Sequence, residues 1–252
     1  MKILAVDSTA KVATAALCDK DKLLAEYTLN NGNTHSETLL PMVKSILDAF
    51  GMKPHDVELF ACSAGPGSFT GVRIGAATIK GLAFGTERPV CGVSTLHALA
   101  MNLNFDDGED EKYIIPCMDA RRGQLYTATF VHRGGELCRL TPDRAIAYEE
   151  LEGEILALGR RVWICGDGYD LVAARMPNGH IYDTPVRLRY QSAYSVAAAA
   201  MAQYERGEYS DAATLTPTYL RLSQAERERA ERLAAEEARR AQEETPGAAD
   251  RA

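Results

Sequence analysis

Two stretches of this chain begin alike: "ILAVDSTAKVATAALC" near the N-terminus and "IPCMDARRGQLYTATF" after an acidic loop. In each, an apolar strand ends on an aspartate, Asp7 or Asp119, and a tight turn leads into a second strand. A third strand follows a polar turn, "LLAEYTL" in one copy and "ELCRLTP" in the other. A helical segment and another apolar strand complete each copy: "SETLLPMVKSILDAF" with "VELFACS", and "AYEELEGEILAL" with "RVWICGDG". Short connections make the first three strands antiparallel, and the continuous apolar run after the helix reads as a buried parallel strand. A repeat on this scale points to duplication and confines the chain to an α/β protein of two like halves.

The loop "FDDGEDEK" is the natural boundary, which divides the chain into a first lobe, 1–104, a second lobe, 105–221, and an extension, 222–252. In the first lobe Leu39, Leu40, Val43, Ile46, Leu47 and Phe50 recur at helical spacing. Ser36 is placed to cap that helix, Gly51 to stop it, and Pro41 must lie near its first turn or kink it. The extension is rich in Ala, Glu and Arg, with i,i+4 pairs Glu228–Arg232 and Glu236–Arg240. It reads as a solvated helix fraying at Pro246 and Gly247, or as an arm for a partner.

Net charge is −7, so the chain is a poor stand-alone binder of nucleic acid. Arg121, Arg122, Arg160 and Arg161 form local basic pairs, either dispersed surface arginines or contacts for RNA within a complex. No apolar run reaches the roughly 20 residues of a membrane span, and "MKILAVDSTA" enters a strand with no leader pattern. The six cysteines are scattered and the five histidines isolated. Buried reduced thiols in a cytoplasmic protein, with no self-contained metal site, are the expectation.

"SAGPGSFTGVRIGAA" is the most unusual run. Each glycine inside a helix costs about 1 kcal/mol against alanine. The run is neither a Walker A loop nor a dinucleotide fingerprint, because Lys80 stands too far along and Thr70 occupies the third glycine's place. Gly65, Pro66 and Gly67 make a turn after the strand, Ser68 caps a helix reaching Phe84, and Gly67, Gly71 and Gly75 fall at four-residue intervals on one face. Such a bare face admits another backbone closely. Three neighbours fit: the chain's own sheet, a partner's helix, or a ligand held by the exposed amides. Asp7, with Ser8 and Thr9, is open in the same way. The carboxylate suits Mg²⁺ and phosphates, or it caps its own turn. Asp119 stands beside Arg121 and Arg122 and can simply pair with them.

Taken together, "ILAVDST", "HSETLLPMV", "SAGPGSFTGVRIGAATIKGLA", "GVSTLHALA", "MDARRGQLY" and "TPTYLR" resemble the bacterial TsaB family over roughly residues 1–222. The resemblance implies a duplicated actin-like ATPase (ribonuclease H-like) fold, two lobes each with a mixed β-sheet flanked by helices. It implies a non-catalytic subunit required for transfer of threonylcarbamoyl from threonylcarbamoyl-adenylate to N6 of the adenosine 3′ of the anticodon in tRNA. The implied partners are a TsaD-like catalytic subunit, forming a heterodimer, and a TsaE-like ATPase. Contact with tRNA is indirect, through the complex, and the chain alone forms a homodimer. The relative's two metal-binding histidines fall at Thr95 and Leu99 of "GVSTLHALA", and neither suits a transition metal. His97 lies between them, on another side of a helix. With compact connections after Trp163, no cofactor is expected on this chain alone, though ATP or ADP and Mg²⁺ have a place within the complex. The partner surface implied is the helix pair near 36–50 and 68–84, with Leu39, Leu40, Val43 and Leu47 as anchors and Gly67, Gly71 and Gly75 as the close-approach face. The rival reading is an active actin-like ATPase or small-molecule kinase that uses Asp7, Ser8 and Thr9 around Mg²⁺–ATP.

Overall fold

Residues 1–32, 34–177 and 179–221, with Arg229, Arg232, Leu233 and Glu236 beyond them, are described by a computed structural model. The chain divides into two units, Met1–Leu220 and Arg221–Ala252. In the second unit Arg229, Arg232, Leu233 and Glu236 are helical. Glu228 and Arg240, on which the pairs Glu228–Arg232 and Glu236–Arg240 depend, lie outside the described residues, as do Pro246 and Gly247.

The first sheet has the order β3-β2-β1-β4-β5, from β1 (Lys2–Asp7), β2 (Ala13–Asp19), β3 (Lys22–Leu29), β4 (Leu59–Gly65) and β5 (Val90–Ser94). β1, β2 and β3 pair antiparallel, and β1, β4 and β5 run parallel. Helices α1 (His35–Ala49) and α2 (Phe69–Ala83) cover one face, burying Leu39, Val43, Ile46, Ala76 and Ile79 against Leu4, Val6 and Phe60. α1 begins before Ser36, and Thr34 takes the cap position instead. His35 is drawn into the first turn, its Nε2 at 2.7 Å from the Ala10 carbonyl oxygen. Pro41 sits inside α1 on its exposed side, where the carbonyl left unbonded is open to water. Gly51, at φ +62°, ends the helix as expected, donating to the Asp48 carbonyl while Met52 donates to Leu47.

The second sheet repeats the plan with broken strands. β6 (Lys112–Arg121) is its β1, and β11 (Trp163–Cys165) pairs parallel to it as β4 does to β1. β7 (Gln124–Thr127) and β8 (Phe130–Arg133) lie end to end along β6, with Cys117 opposite Thr127 and Ile114 opposite Phe130. Between them Thr129 turns its N–H to Thr141 Oγ1 and its carbonyl to the Leu140 N–H. The third strand is likewise split, into β9 (Glu136–Arg139) and β10 (Arg144–Ala147). α4 (Tyr148–Leu158) and the short α5 (Tyr169–Ala173) cover one face. The two sheets with their helices form the duplicated α/β fold, each lobe a mixed sheet flanked by helices.

Between the sheets lies α3 (Thr95–Met101), and α6 (Ala193–Glu205) packs beside it on the first sheet. α3 serves both: Ala98 packs with the first sheet, while Leu96, Leu99 and Leu103 pack with Ile114, Met118 and Phe130 of the second. α6 buries Val196, Ala197 and Ala200 against Ile3, Ala5 and Ala61. Residues 193–218, which the sequence places in the second lobe, therefore cover the first sheet. The physical reason is that β1 and β4 are apolar on both faces, and α1 and α2 cover only one.

Candidate functional site

β1, β4 and β5 run parallel, so their C-terminal ends, Asp7, Gly65 and Ser94, share one edge of the first sheet. Ligands of open α/β sheets bind at this edge. Here the edge is filled by the chain itself. Asp7 is 1% exposed. Its Oδ1 accepts from the Thr9 amide at 2.8 Å and the Thr9 hydroxyl at 2.7 Å, and its Oδ2 accepts from Ser63 Oγ at 2.5 Å. Burial raises its pKa, opposed by the bonds from Ser63 and Thr9 and by nearby His35. The Ser8 hydroxyl donates to the Gly71 carbonyl at 2.8 Å, and the Ser68 amide donates to the Thr9 carbonyl at 2.7 Å. A carboxylate engaged at both oxygens by its own chain does not fit an Mg²⁺–phosphate group as it stands.

The same contacts identify what the glycine face admits. A Cβ on Gly71 would lie 2.0 Å from the Ser8 carbonyl oxygen, one on Gly67 2.5 Å from the Thr9 oxygen, and one on Gly75 2.9 Å from Ser8 Oγ. The neighbour is the chain's own turn after β1. This corrects the placement of Gly67, Gly71 and Gly75 at a partner surface, because that face is already occupied from within. Leu39, Val43 and Leu47 are corrected with them, since all three are buried in the core under α1. Leu40 alone of the seven stands out to solvent, 53% exposed. Ser68 does cap α2 as expected, accepting from the Gly71 amide at 3.3 Å.

An outward surface remains on these helices, turned away from the glycine face. On α1, Leu40, Pro41, Lys44, Ser45 and Asp48 line a shallow groove. On α2, which packs beside α1, Arg73, Ala77 and Gly81 are exposed, and Phe84 just past its end is 82% exposed. A Cβ on Gly81 would meet nothing within 4 Å. Gly81 and Phe84 escape the sequence argument because the core-facing glycines draw attention first; the exposed Phe84 at a helix end is the signal that points to them.

The other sequence candidates are scattered. Thr95 and Leu99 are buried, and no described residue partners the Thr95 hydroxyl. His97 stacks on Phe130 at 5.7 Å, and burial, with Arg139 and Arg206 nearby, pushes its pKa down to about 4. Asp119 accepts from the Arg121 amide at 2.7 Å and its guanidinium at 3.2 Å, while Asp167 beside it has a pKa raised by burial. Arg160 pairs with Glu111 and Arg161 lies over the Tyr182 ring. Among the described residues no group of three or more His, Cys, Asp or Glu could hold a metal ion, and no helix is long and apolar enough to cross a membrane. Cys18, Cys62, Cys91, Cys117 and Cys165 are free and buried, and burial pushes the Cys62 and Cys117 thiols up to about 12.

Comparison with known proteins adds lineage to this geometry. The family model described as TsaD, tRNA N6-adenosine threonylcarbamoyltransferase, matches residues 22–162. The tRNA threonylcarbamoyladenosine biosynthesis protein TsaB of Bacillus subtilis is 32% identical over 90% of this chain and 96% of its own length. Its namesake from Escherichia coli is 38% identical over 52% of this chain and 55% of its own. The crystal structure of YeaZ from Pseudomonas aeruginosa superposes with a TM-score of 0.71 at 27% identity, covering 87% of this chain and 99% of that one.

Proposed function

Because the chain belongs to the TsaB family, within the lineage that the TsaD model describes, we propose that it acts in tRNA threonylcarbamoyladenosine biosynthesis as a non-catalytic subunit. In this reading it binds and regulates a TsaD-like catalytic subunit, together with a TsaE-like ATPase. The reaction supported is transfer of threonylcarbamoyl from threonylcarbamoyl-adenylate to N6 of the adenosine 3′ of the anticodon. The observation that carries the non-catalytic part is the closed set of bonds on Asp7. A carboxylate already satisfied by Thr9 and Ser63 has to lose those bonds before it can orient a metal and a phosphate.

The partner contact is assigned to the outward surface, with Leu40 and Phe84 as its apolar anchors and Ala77 and Gly81 permitting close approach. Without the partner, the same surface pairs two copies of this chain. Nucleotide and Mg²⁺ belong to the assembled complex, tRNA is reached through the catalytic subunit, and the setting is the cytoplasm.

Reconstitution tests the reading. The TsaD-type and TsaE-type proteins of the same organism are supplied with tRNA and threonylcarbamoyl-adenylate, with and without this chain. Modification is expected only when the chain is present, and the chain alone is expected to leave ATP intact. Full modification without it would end the reading. Sustained ATP turnover by the chain alone would replace it with the phosphotransferase alternative built on Asp7.

A further inference from the structure

The motif "TPTYLR" lies far from the glycine run in the chain but touches it in the fold. Residues 210–219 cross the first sheet as a strap. Ser210 and Val90 exchange backbone hydrogen bonds, Lys80 Nζ reaches the carbonyls of Ala213 and Leu215, and the Thr218 amide donates to Ala64 at 2.7 Å. The Thr218 carbonyl lies where Gly65, at φ +117°, would carry a Cβ, so only glycine fits there. This docking delivers Tyr219 to the start of α2. Its ring centroid is 4.6 Å from that of Phe69, and its hydroxyl accepts from Arg73 Nε at 3.0 Å. The Arg73 guanidinium lies 3.8 Å over the Phe69 ring.

Arg73 is thus held in one place while its Nη atoms have no partner among the described residues. That sets it apart. Arg121, Arg139, Arg144, Arg189 and Arg206 each hold a carboxylate. In a chain of net charge −7, carboxylates are plentiful, yet Arg73, braced by Phe69 and Tyr219 at the start of α2, has none among the described residues. A planar guanidinium, immobilised through Nε and its face, keeps its outer fork for a carboxylate. It stands on the outward surface one turn before Ala77.

Resting on the partner assignment above, we propose that Arg73 determines specificity at that surface by receiving a carboxylate of the docked TsaD-like subunit. Tyr219 and Phe69 are its positioning residues. This gives the strap a purpose beyond covering the sheet: it holds the arginine in the orientation its partner needs.

The test is the dissociation constant of the full chain for the TsaD-type protein of the same organism, at low and high salt. Arg73→Ala is expected to bind roughly tenfold more weakly or worse, and to lose most of the salt dependence seen in the wild type. Arg73→Lys keeps the charge but not the fork and falls between them. Tyr219→Phe, which keeps the ring and removes only the hydroxyl, is expected to bind about threefold more weakly with unchanged thermal stability. Equal binding by wild type and Arg73→Ala, both folded, would overturn the inference and leave the partner reading standing. So would weakening that is the same at every salt concentration, or that appears only with added ATP or ADP, which would make the anion a phosphate. No binding by the wild type would sink the partner reading itself.

Discussion

The turn after β1 and the turn after β6 begin on equivalent aspartates and are built in opposite ways. Asp7 is sealed under Ser63 and Thr9, with the glycine face of α2 pressed onto Ser8 and Thr9. Asp119 is partly open and answers to Arg121 from within its own turn. Both copies use glycine to let backbones meet: Gly71 against Ser8 in the first, Gly166 and Gly168 against Cys117 in the second. The first copy follows its glycines with a fifteen-residue helix, the second with a five-residue one. Duplication supplied two equal frames. Only the first was given a long helix with an exposed outer side, and its aspartate became part of the packing beneath that helix.

The comparison breaks most decisively at Gly71. An added methyl would sit 2.0 Å from a backbone oxygen that cannot swing aside. Gly71→Ala is expected to destabilise the chain by about 3 kcal/mol in urea unfolding. Gly81→Ala, on the same helix with open space at its Cβ, is expected to stabilise it by about 0.5–1 kcal/mol. Equal effects at the two positions would refute the packing described for the first turn.

A smaller contrast separates the two aspartates. Asp7→Ala leaves the hydroxyls of Ser63 and Thr9 buried without an acceptor and should lower stability by about 2 kcal/mol. Asp119→Ala removes a pair whose arginine is largely exposed and should change stability by roughly 0.5 kcal/mol or less. Paired unfolding curves decide this.

The finest test is pH. Burial raises the Asp7 pKa in the folded chain above the ordinary 3.8. The folded state therefore holds this proton more tightly than the unfolded one. The stability contributed by protonated Asp7 is complete below the unfolded value and is lost as pH rises through the folded one. Asp7→Asn should remove that fall, seen as a smaller loss of stability than wild type as pH rises above about 4. A steeper loss in the variant would contradict the burial assigned to Asp7.

Much of the frame was legible because it is local. The apolar runs "ILAV" and "LFAC" became the middles of central strands. Gly51 and Ser68 ended and began helices where their backbone chemistry requires. The misreadings share a different character. α1 starts after Thr34 rather than at Ser36, with His35 in its first turn drawn to Ala10, a contact across twenty-five positions. The second and third strands of the later copy break at Thr129 and near Thr141, where side-chain and backbone bonds compete with the ladder. No periodicity announces that competition.

The glycines show where the division falls. Their spacing in "GSFTGVRIG" already demanded that something approach α2 without hindrance, because a missing side chain is a property of the residue itself. What approaches is a matter of which surfaces meet, and three neighbours satisfy the same spacing equally well. Only the folded chain brings Ser8 and Thr9 there, sends α6 across to cover the first sheet, and sets Tyr219 beside an arginine 146 positions away. Local conformation depends on neighbours in sequence, whereas burial depends on closing long loops around a shared core, and that closure is not encoded at any single position.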